Sequence, residues 1–431
     1  MSSGKSKHKH SYFSYYTGKL FSAIREEGIF QAIKKIKNKL PFLINYYSSV
    51  PKNREAEITD YIEYLKELFN KKQYAFIDIM YPPLGWNNTL FQRFQHFSLQ
   101  ASQLSGFAFF GGHPMVDKLT IYTQINKNFH VFDATDSELV KAITDFLASR
   151  SERKIVRVQS IDNFTTVEDI EKLLEKGFEV IYEYIDEITN EISGDIPDFV
   201  IARHKWCIEN PTVLTAATSE KLYRNAKTYN AANLVLSTNG VDYNYWHDNK
   251  RLSAPEILKN IIGKKHIIAY HGALAPWLDF NLLKRIADDG RFILLLIGYP
   301  HGNIPELKEL KKHPNIIFAG RVPYNQLNRY SAFYDVGIIP FTVNDITQSV
   351  SPLKIFEYMA SGIPVVSTAI NECKKYQSCL IAADHDEFIK LLEKAVSLKN
   401  DSSYLQMLNT DALSNDWQKI YRELIFRIIK N

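Results

Sequence analysis

The chain of 431 residues has few cysteines and no long hydrophobic run. Its apolar stretches, such as Phe292–Ile297, fall far short of the roughly 20 residues that cross a bilayer, so no transmembrane helix is expected. Cys207, Cys373 and Cys379 form no C-x-x-C pair, and the basic, polar N-terminus lacks the apolar core of a secretory signal. Together these absences predict a cytoplasmic protein.

The chain also lacks the motifs of several enzyme classes. It contains no G-x-G-x-x-G, no G-x-x-x-x-G-K-[ST], no G-x-S-x-G and no H-E-x-x-H. The sequence therefore lacks the motif support for dinucleotide-binding, P-loop, serine-hydrolase and zincin chemistry. With 45% hydrophobic and 23% charged residues, the composition excludes a disordered or fibrous protein.

Positive charge is concentrated at the N-terminus. The whole chain carries +4, but residues 1–54 hold eleven Lys or Arg against Glu26 and Glu27, which leaves +9 there and −5 on the other 377 residues. A nucleic-acid binder would spread positive charge over its folded body, so no nucleic-acid partner is expected. Apolar residues at helical spacing predict a basic amphipathic helix in this arm, with the stripe Leu20, Phe21, Ile24, Phe30, Ile33, Ile36 and Leu40. This helix either lies on an anionic membrane surface or packs its stripe on the protein body.

Two successive series of strand and helix patterns follow the arm, which predicts two doubly wound α/β domains. We expect the arm over 1–55, the first domain over 56–245, the second domain over 246–405, and a C-terminal helix over 406–431 that packs back on the first domain. In such domains ligands bind outside the carboxyl ends of the strands, so a cleft lined by those ends is the expected binding site.

The segment DVGIIPFTVNDITQSVSPLKIFEYMASGIPVVST is the most informative about chemistry. It predicts a helix with Ser351 as its N-cap, Pro352 at the first helical position and Gly362 at its end. On a helical wheel, Lys354 and Glu357 share the side opposite the apolar residues. The apolar stripe consists of Leu353, Phe356, Met359 and Ala360.

A cation in the first turn of this helix points to an anionic ligand. The positive end of a helix disfavours Lys354 unless an anion is bound there. Backbone N–H groups of residues 351–354 and the Lys354 ammonium group would hold a diphosphate, and Glu357 would accept hydrogen bonds from a ribose diol. The alternative is a solvated ion pair between Lys354 and Glu357, which would contribute almost nothing.

The same segment resembles the donor-binding signature of GT-B glycosyltransferases of the family 4 type, in which a Glu binds the nucleotide ribose. The chain is also similar to the group around the teichuronic-acid and xanthan glycosyltransferases. The motifs that carry this similarity are LFQRFQHF, ATSEKLY, STNGVDYNYW, YHGALAPWLDF and GRVPYNQLNRYSAFYDVGIIPF. The resemblance implies a GT-B fold of two facing Rossmann-like domains, the first for the acceptor and the second for a nucleotide sugar.

On the donor side, the resemblance implies a role for each matching position. Glu357 matches the ribose-binding Glu, Lys354 matches a phosphate-contacting Lys, Gly272 lies in the first turn of the second domain near the donor phosphates, and Arg321 with Val322 matches the loop beside the base. With the helix start included, the predicted donor site comprises Gly272, Arg321, Val322, Ser351, Pro352, Leu353, Lys354 and Glu357.

The chain departs from the family pattern at two points. Family 4 has a Glu eight residues before the ribose-binding Glu, where this chain has Ser349, and GALAPWLDF lacks the Arg and Lys that usually follow the glycine turn. These departures leave open whether the anomeric configuration is retained or inverted. The resemblance implies no cofactor and no metal ion, because GT-B sites generally neutralise the leaving diphosphate with helix N-termini and basic side chains.

On the acceptor side, Asp186 and Glu187 follow a predicted strand, and Asp186 matches an acidic position of the related enzymes. A carboxylate there would deprotonate an acceptor hydroxyl, although strand-end carboxylates also cap helices. Trp86, Arg93 and His96 are further acceptor-side candidates, and the alternative for His96 is a packed core histidine.

The sequence therefore predicts a glycosyltransferase that moves a sugar from a nucleotide-diphosphate sugar to a carbohydrate or lipid-linked acceptor in cell-surface polysaccharide synthesis. The alternatives are a GT-B sugar-nucleotide epimerase, which would turn over the donor without an acceptor, and a non-catalytic subunit that binds nucleotide sugar. The expected location is the cytoplasm, with attachment to the inner face of the plasma membrane through residues 1–54 as the further expectation.

Overall fold

A computed structural model describes residues 53–81, 85–88, 91–162, 165–189, 196–229, 231, 233–248 and 253–429. The predicted amphipathic helix of the arm lies outside these residues. Among the helices that are described, none is both long and apolar enough to cross a membrane.

The first α/β layer is an eight-stranded sheet of order β3-β4-β2-β1-β5-β6-β7-β8. Its strands are β1 (Phe76–Met80), β2 (Phe107–Gly112), β3 (Tyr122–Asn126), β4 (Phe129–Asp133), β5 (Arg153–Gln159), β6 (Glu179–Tyr184), β7 (Val213–Ala217) and β8 (Leu234–Leu236). The β3–β4 pair is antiparallel, whereas β1 pairs with β2 and β5 in parallel, as do β2 with β4 and β7 with β8.

Seven helices accompany these strands in the described part of the sequence. They are α1 (Arg54–Lys71), α2 (Arg93–Gln103), α3 (Pro114–Asp117), α4 (Ser137–Ala148), α5 (Val167–Glu175), α6 (Asp198–Glu209) and α7 (Glu220–Thr228). Several of these helices begin after a polar N-cap residue. The Asp136 carboxylate accepts hydrogen bonds from backbone N–H groups in the first turn of α4, and Thr166 and Asp169 form a capping box at α5.

The second α/β layer is a six-stranded parallel sheet of order β11-β10-β9-β12-β13-β14. Its strands are β9 (His266–His271), β10 (Phe292–Ile297), β11 (Ile316–Gly320), β12 (Val336–Ile339), β13 (Val365–Thr368) and β14 (Cys379–Ala382). Every residue of β10 is buried, which matches its unbroken apolar sequence, because a central parallel strand is covered on both faces.

The helices of the second part are α8 (Tyr243–His247), α9 (Phe280–Asp288), α10 (Glu306–Leu310), α11 (Tyr324–Ser331), α12 (Leu353–Ala360), α13 (His385–Leu398), α14 (Ser402–Ser414) and α15 (Trp417–Ile429). Asp279 and Asp384 cap α9 and α13. Within the second core, α12 is buried from Ile355 to Ala360 and so contacts protein on all sides.

The apolar run from Leu119 to Tyr122 predicts a strand, but the strand there is β3, which begins only at Tyr122. No apolar run predicted the adjacent β4. β3 is a largely exposed edge strand, so it has little apolar content to reveal it. β4 contains a buried polar residue, His130, whose Nδ1 lies 2.9 Å from the Tyr61 hydroxyl.

The chain divides into two compact units. The first consists of Met1–Asn88, Ala101–Val158 and Asp162–Val180, and the second of Thr89–Gln100, Gln159–Ile161 and Ile181–Asn431. All predicted donor-site residues and Asp186 belong to the second unit. The domain bounds proposed from the sequence stay a prediction.

Candidate functional site

The start of helix α12 lies one residue later than the sequence predicted. Pro352 has extended backbone angles and is the N-cap, and Leu353 is the first helical residue. Ser351, predicted as the cap, is instead buried before the helix, and its Oγ makes no hydrogen bond with any described residue. The free N–H groups of a first helical turn attract anions, so an unpartnered hydroxyl beside them adds a donor to the same place.

The Lys354 side chain lies among aromatic rings, which does not fit the alternative of a solvated ion pair. Its side chain is only partly exposed, and its Nζ lies 5.0 Å from the ring centroid of Phe341 and 5.3 Å from that of Tyr270. Burial lowers the pKa of Lys354 to about 8, although the negative charge of Glu357 opposes that shift. Among the described residues, none accepts a hydrogen bond from the ammonium group.

Gly272 is in direct proximity to Lys354. It follows β9 with φ of 140°, and a Cβ atom at this position would lie 3.1 Å from Cε and 3.5 Å from Nζ of Lys354. Glycine adopts this backbone angle without strain, and its missing side chain keeps the space beside the ammonium group open. The structure thus brings together two residues that are 82 positions apart in the sequence.

Glu357 is also buried, which excludes the solvated ion pair with Lys354. Its Oε2 lies 2.7 Å from Nε2 of His271, the last residue of β9, and the two side chains are 10% and 4% exposed. The prediction treated α12 as apolar on one face only, but Ile355 and Tyr358 are buried as well, so the helix has no solvated side over this stretch. His271 was not identified from the sequence; the available signal was a polar residue at the carboxyl end of a buried strand.

Asp186 and Glu187 follow the end of β6 at Tyr184, as predicted, but their surroundings differ. Asp186 is partly buried and makes no hydrogen bond with described residues; burial, and then the charge of Glu187, raises its pKa to about 7. Glu187 accepts hydrogen bonds from Asn225 Nδ2 at 2.8 Å, Ser349 Oγ at 3.0 Å and Tyr184 Oη at 3.2 Å. Asp186 is therefore free to take a proton, whereas Glu187 holds neighbouring segments together.

Ser349 and Asn239 connect other parts of the second unit to the start of α12. Ser349 donates to Glu187, and Asn239 Nδ2 donates to the Ser351 carbonyl at 2.8 Å. Asn239 belongs to the STNG motif used for the resemblance, but no site role was assigned to it. These two hydrogen bonds fix the segment before α12 to the loops that follow β6 and β8.

The remaining donor-side candidates, Arg321 and Val322, follow β11. Arg321 is exposed, and its guanidinium carbon lies 3.9 Å from the ring centroid of Tyr299, whereas Val322 is 8% exposed. An exposed arginine stacked on an aromatic ring presents a flat surface, which suits contact with a nucleotide base.

The acceptor-side candidates Arg93 and His96 are held by protein groups. Arg93 donates to the Thr238 carbonyl and to Ser237 Oγ, each at 2.7 Å. His96 stacks on Trp417 of α15 with ring centroids 5.1 Å apart, and burial lowers its pKa to about 3. These contacts favour the packed core histidine that was the alternative for His96.

Trp86 lies in the first compact unit. Its ring packs edge-on against Phe129 at 4.9 Å and Phe110 at 5.3 Å, and its backbone N–H donates to Asp117 Oδ2 at 3.1 Å. An acceptor role for Trp86, Arg93, His96 or Glu187 stays a prediction.

Carboxylates that resemble a metal-binding pair have other partners. Asp384 and Asp386 form an Asp-x-Asp sequence, but Asp384 caps α13 and Asp386 pairs with Arg285. No group of three or more His, Cys, Asp or Glu within the described ranges is arranged to hold a metal ion.

The segment that forms the second sheet and its helices matches a known family. Residues 266–398 match the family described as glycosyl transferases group 1. This segment is a glycosyltransferase group 1 domain. The group 1 domain contains Gly272, Lys354 and Glu357, so these residues of the predicted donor site lie within the matched residues.

A curated relative and several solved structures extend the comparison. The chain is 30% identical over 195 residues to a Bacillus subtilis (strain 168) protein described as the teichuronic acid biosynthesis glycosyltransferase TuaH; the match covers 43% of this chain and 48% of that relative. The matched region thus spans about half the length of the curated relative.

Similar solved structures include a sucrose-phosphate synthase of Thermosynechococcus elongatus (TM-score 0.60, 12% identity, 82% of this chain and 99% of that one). HepE of Anabaena, in complex with UDP, is similar with a TM-score of 0.57 and 14% identity, covering 83% of this chain and all of that one. A glycosyltransferase of Rickettsia africae gives a TM-score of 0.57 at 13% identity over 83% of this chain and 98% of that one. These likenesses confirm the predicted GT-B fold.

Proposed function

We propose that this protein transfers a sugar from a nucleotide-diphosphate sugar to a carbohydrate or lipid-linked acceptor in the synthesis of a cell-surface polysaccharide. The observation that carries the proposal is the Lys354 ammonium group, which stands beside Gly272 at the N-terminus of α12 and has no anionic hydrogen-bond partner in the part of the chain that the structure describes. Burying a cation without a partner is costly, so an anionic ligand is the natural completion of this site. The relative described as a teichuronic acid glycosyltransferase supports the polysaccharide setting.

The donor would be held at both ends of its ribose diphosphate. The α12 N-terminus, Ser351 and Lys354 would bind the diphosphate, and Glu357 would accept hydrogen bonds from the ribose hydroxyls. Because the diphosphate is also the leaving group, positive charge at this point stabilises the charge that develops as the glycosidic bond breaks. The same arrangement provides for departure without a metal ion, and metal-independent transfer is part of the proposal.

Asp186 would act as the general base. As the acceptor oxygen forms its bond to the anomeric carbon, its proton passes to the Asp186 carboxylate and the bond from that carbon to the diphosphate breaks. A pKa near 7 suits this role, because about half of the carboxylate is ionised at neutral pH and the ionised form is basic enough to accept the proton. Glu187, with three hydrogen-bond donors, would hold the adjoining loop in place.

The donor site is tested by calorimetry on the full-length protein with UDP, GDP and ADP. Lys354→Ala should weaken binding of the preferred diphosphate by about 10- to 100-fold, because a charged hydrogen bond is lost. Lys308→Ala, an exposed lysine of α10, is the matched control and should bind as the wild type does. Unchanged affinity in Lys354→Ala would refute the donor-site assignment.

Product analysis separates transfer from its alternatives. The proposed enzyme should consume a nucleotide sugar only when an acceptor glycan or lipid-linked glycan is supplied. Conversion of the donor to an epimer without an acceptor would indicate an epimerase, and binding without any turnover across an acceptor panel would indicate a non-catalytic subunit.

The location proposed for the enzyme is the cytoplasmic face of the membrane, with residues 1–54 as the attachment. Each basic residue near an anionic surface adds about 1 kcal/mol, and salt screens the attraction. Full-length protein should float with anionic vesicles at low salt, whereas a chain beginning at Glu55 should not. Equal flotation of both would show that the arm is not the attachment.

A further inference from the structure

The imidazole of His271 is held rigidly against Glu357. Its ring stacks on Trp246, with centroids 5.4 Å apart and planes 15° apart, and meets the Tyr358 ring at 4.8 Å and 63°. The backbone N–H of His271 donates to the Tyr358 hydroxyl at 3.2 Å. The ring therefore has little freedom to turn away from the carboxylate, which lies 2.7 Å from its Nε2.

The contact between His271 and Glu357 occupies one oxygen of the carboxylate. A carboxylate accepts hydrogen bonds, so Nε2 of His271 is the donor when Glu357 is ionised. Nδ1 is buried and has no hydrogen-bond partner among the described residues. The histidine thus occupies one oxygen of Glu357, Oε2, and no described residue donates to the other, Oε1.

We propose that His271 is a positioning residue for nucleotide recognition: it orients the Glu357 carboxylate so that Oε1 can accept hydrogen bonds from the ribose diol of the donor. This inference rests on the proposed function, because it assigns a supporting residue to the same donor site. A buried carboxylate needs hydrogen-bond donors, and a rotated Glu357 would be a poorer acceptor for the diol. His271 itself need not touch the ligand.

The test measures a preference for ribose, not affinity alone. Calorimetry gives dissociation constants for the tightest binder among UDP, GDP and ADP and for its 2′,3′-dideoxy analogue. The wild-type protein should prefer the ribose form by about 10- to 100-fold, the range expected for hydrogen bonds to a charged group. This ratio is insensitive to a general loss of folded protein, because both ligands are affected equally.

Two substitutions separate the role of the hydrogen bond donated by His271 from the role of its aromatic ring. His271→Phe keeps an aromatic ring against Trp246 but removes the hydrogen bond to Glu357. Its preference for the ribose form should fall to less than about threefold. His271→Gln can keep a donor near the Nε2 position and should retain most of the preference. Because His271→Phe leaves Glu357 buried without a donor and can fail to fold, His271→Asn, which is too short to reach Glu357, is the second variant without the donor.

Glu357→Gln and Lys354→Ala distinguish the failure of this inference from the failure of the proposed function. Glu357→Gln should also lose the ribose preference, and Lys354→Ala should weaken both ligands and leave their ratio unchanged. Loss of the preference in Glu357→Gln with a wild-type ratio in the folded His271 variants that lack the donor would overturn the role of His271. A wild-type ratio in Glu357→Gln would overturn the ribose assignment itself.

Discussion

Helices α2 and α12 are both buried and both carry residues that the sequence marked as site candidates, yet their polar groups differ in what they contact. On α2, Arg93 donates to two groups near β8 and lies 3.7 Å from Glu183, and His96 packs between aromatic rings. On α12, Lys354 has no hydrogen-bond acceptor among the described residues. Burial is common to both helices, so the supply of protein partners is what separates a structural role from a binding role.

The same contrast occurs between neighbouring residues after β6. Glu187 accepts hydrogen bonds from Tyr184, Asn225 and Ser349, whereas no described residue donates to Asp186, whose pKa is raised by burial and by the charge of Glu187. A charged group whose hydrogen bonds are complete adds to stability, and one whose hydrogen bonds are incomplete reduces stability until a ligand or a proton arrives. Substitutions at the two kinds of position should therefore affect different measurements.

The largest effect is expected for Asp186→Asn. Loss of the general base should lower single-turnover transfer by roughly 10²–10⁴-fold at saturating donor and acceptor. Donor affinity and melting temperature should change little, because Asp186 makes no hydrogen bond with described residues. Wild-type transfer should rise with pH through about 7, since the carboxylate must lose its proton to act as a base. Transfer by Asp186→Asn within a few-fold of wild type would remove Asp186 from the mechanism.

Arg93→Met should lower the free energy of unfolding and leave donor binding unchanged. It removes a buried guanidinium group that lies 3.7 Å from the Glu183 carboxylate and donates to Thr238 and Ser237, which costs about 3–5 kcal/mol of unfolding free energy. Urea unfolding measures the loss, and Arg422→Met, an exposed arginine of α15, serves as the control with little change. A stable Arg93→Met protein that binds donor but fails in transfer would place Arg93 in the acceptor site and break the comparison.

His96→Phe should make the protein less sensitive to acid. Burial lowers the folded-state pKa of His96 to about 3, and the unfolded chain has a histidine pKa of about 6.5, so the unfolded state gains protons first as the pH falls. Between pH 7 and pH 5 this linkage removes about 2 kcal/mol of stability in the wild-type protein. His96→Phe should lose that much less over the same interval, as measured by urea unfolding at both pH values. An unchanged pH dependence would mean that His96 is not buried in its neutral form.

Most strands of the fold could be predicted from the sequence because their signals are local. β10 reads as one apolar run, and Gly362, with φ of 68°, marks the end of the predicted helix. The resemblance supplied Lys354, Glu357 and Gly272, which lie within the group 1 domain. What could not be read was the environment of each side chain, because that depends on contacts distant in sequence.

His271 and Arg93 illustrate this limit. The pairing of His271 with Glu357 joins residues 86 positions apart, and Arg93 meets its partners near Thr238 over 145 positions. A helical wheel placed Glu357 opposite the apolar stripe but could not show what covers that side, because it considers one helix alone. In the structure, α12 contacts the end of β9 as well as the core. Periodicity predicts which face is apolar, but it cannot reveal that the opposite face is covered too.

The smallest effect is expected in the pH dependence of nucleoside diphosphate binding. This dependence tests whether the Lys354 ammonium group binds the diphosphate. Burial lowers the pKa of Lys354 to about 8 in the free protein, and a bound anion would favour the charged form and raise that pKa. Affinity for a nucleoside diphosphate should therefore fall as the pH rises above about 8, by up to tenfold per pH unit, since each binding event must then return a proton to the lysine. Lys354→Arg stays charged throughout this range, so calorimetry between pH 7.5 and 9.5 should find a nearly constant dissociation constant for it. Lys308→Arg, on the exposed helix α10, should keep the wild-type dependence; a flat profile in the wild-type protein itself would show that Lys354 does not meet the diphosphate.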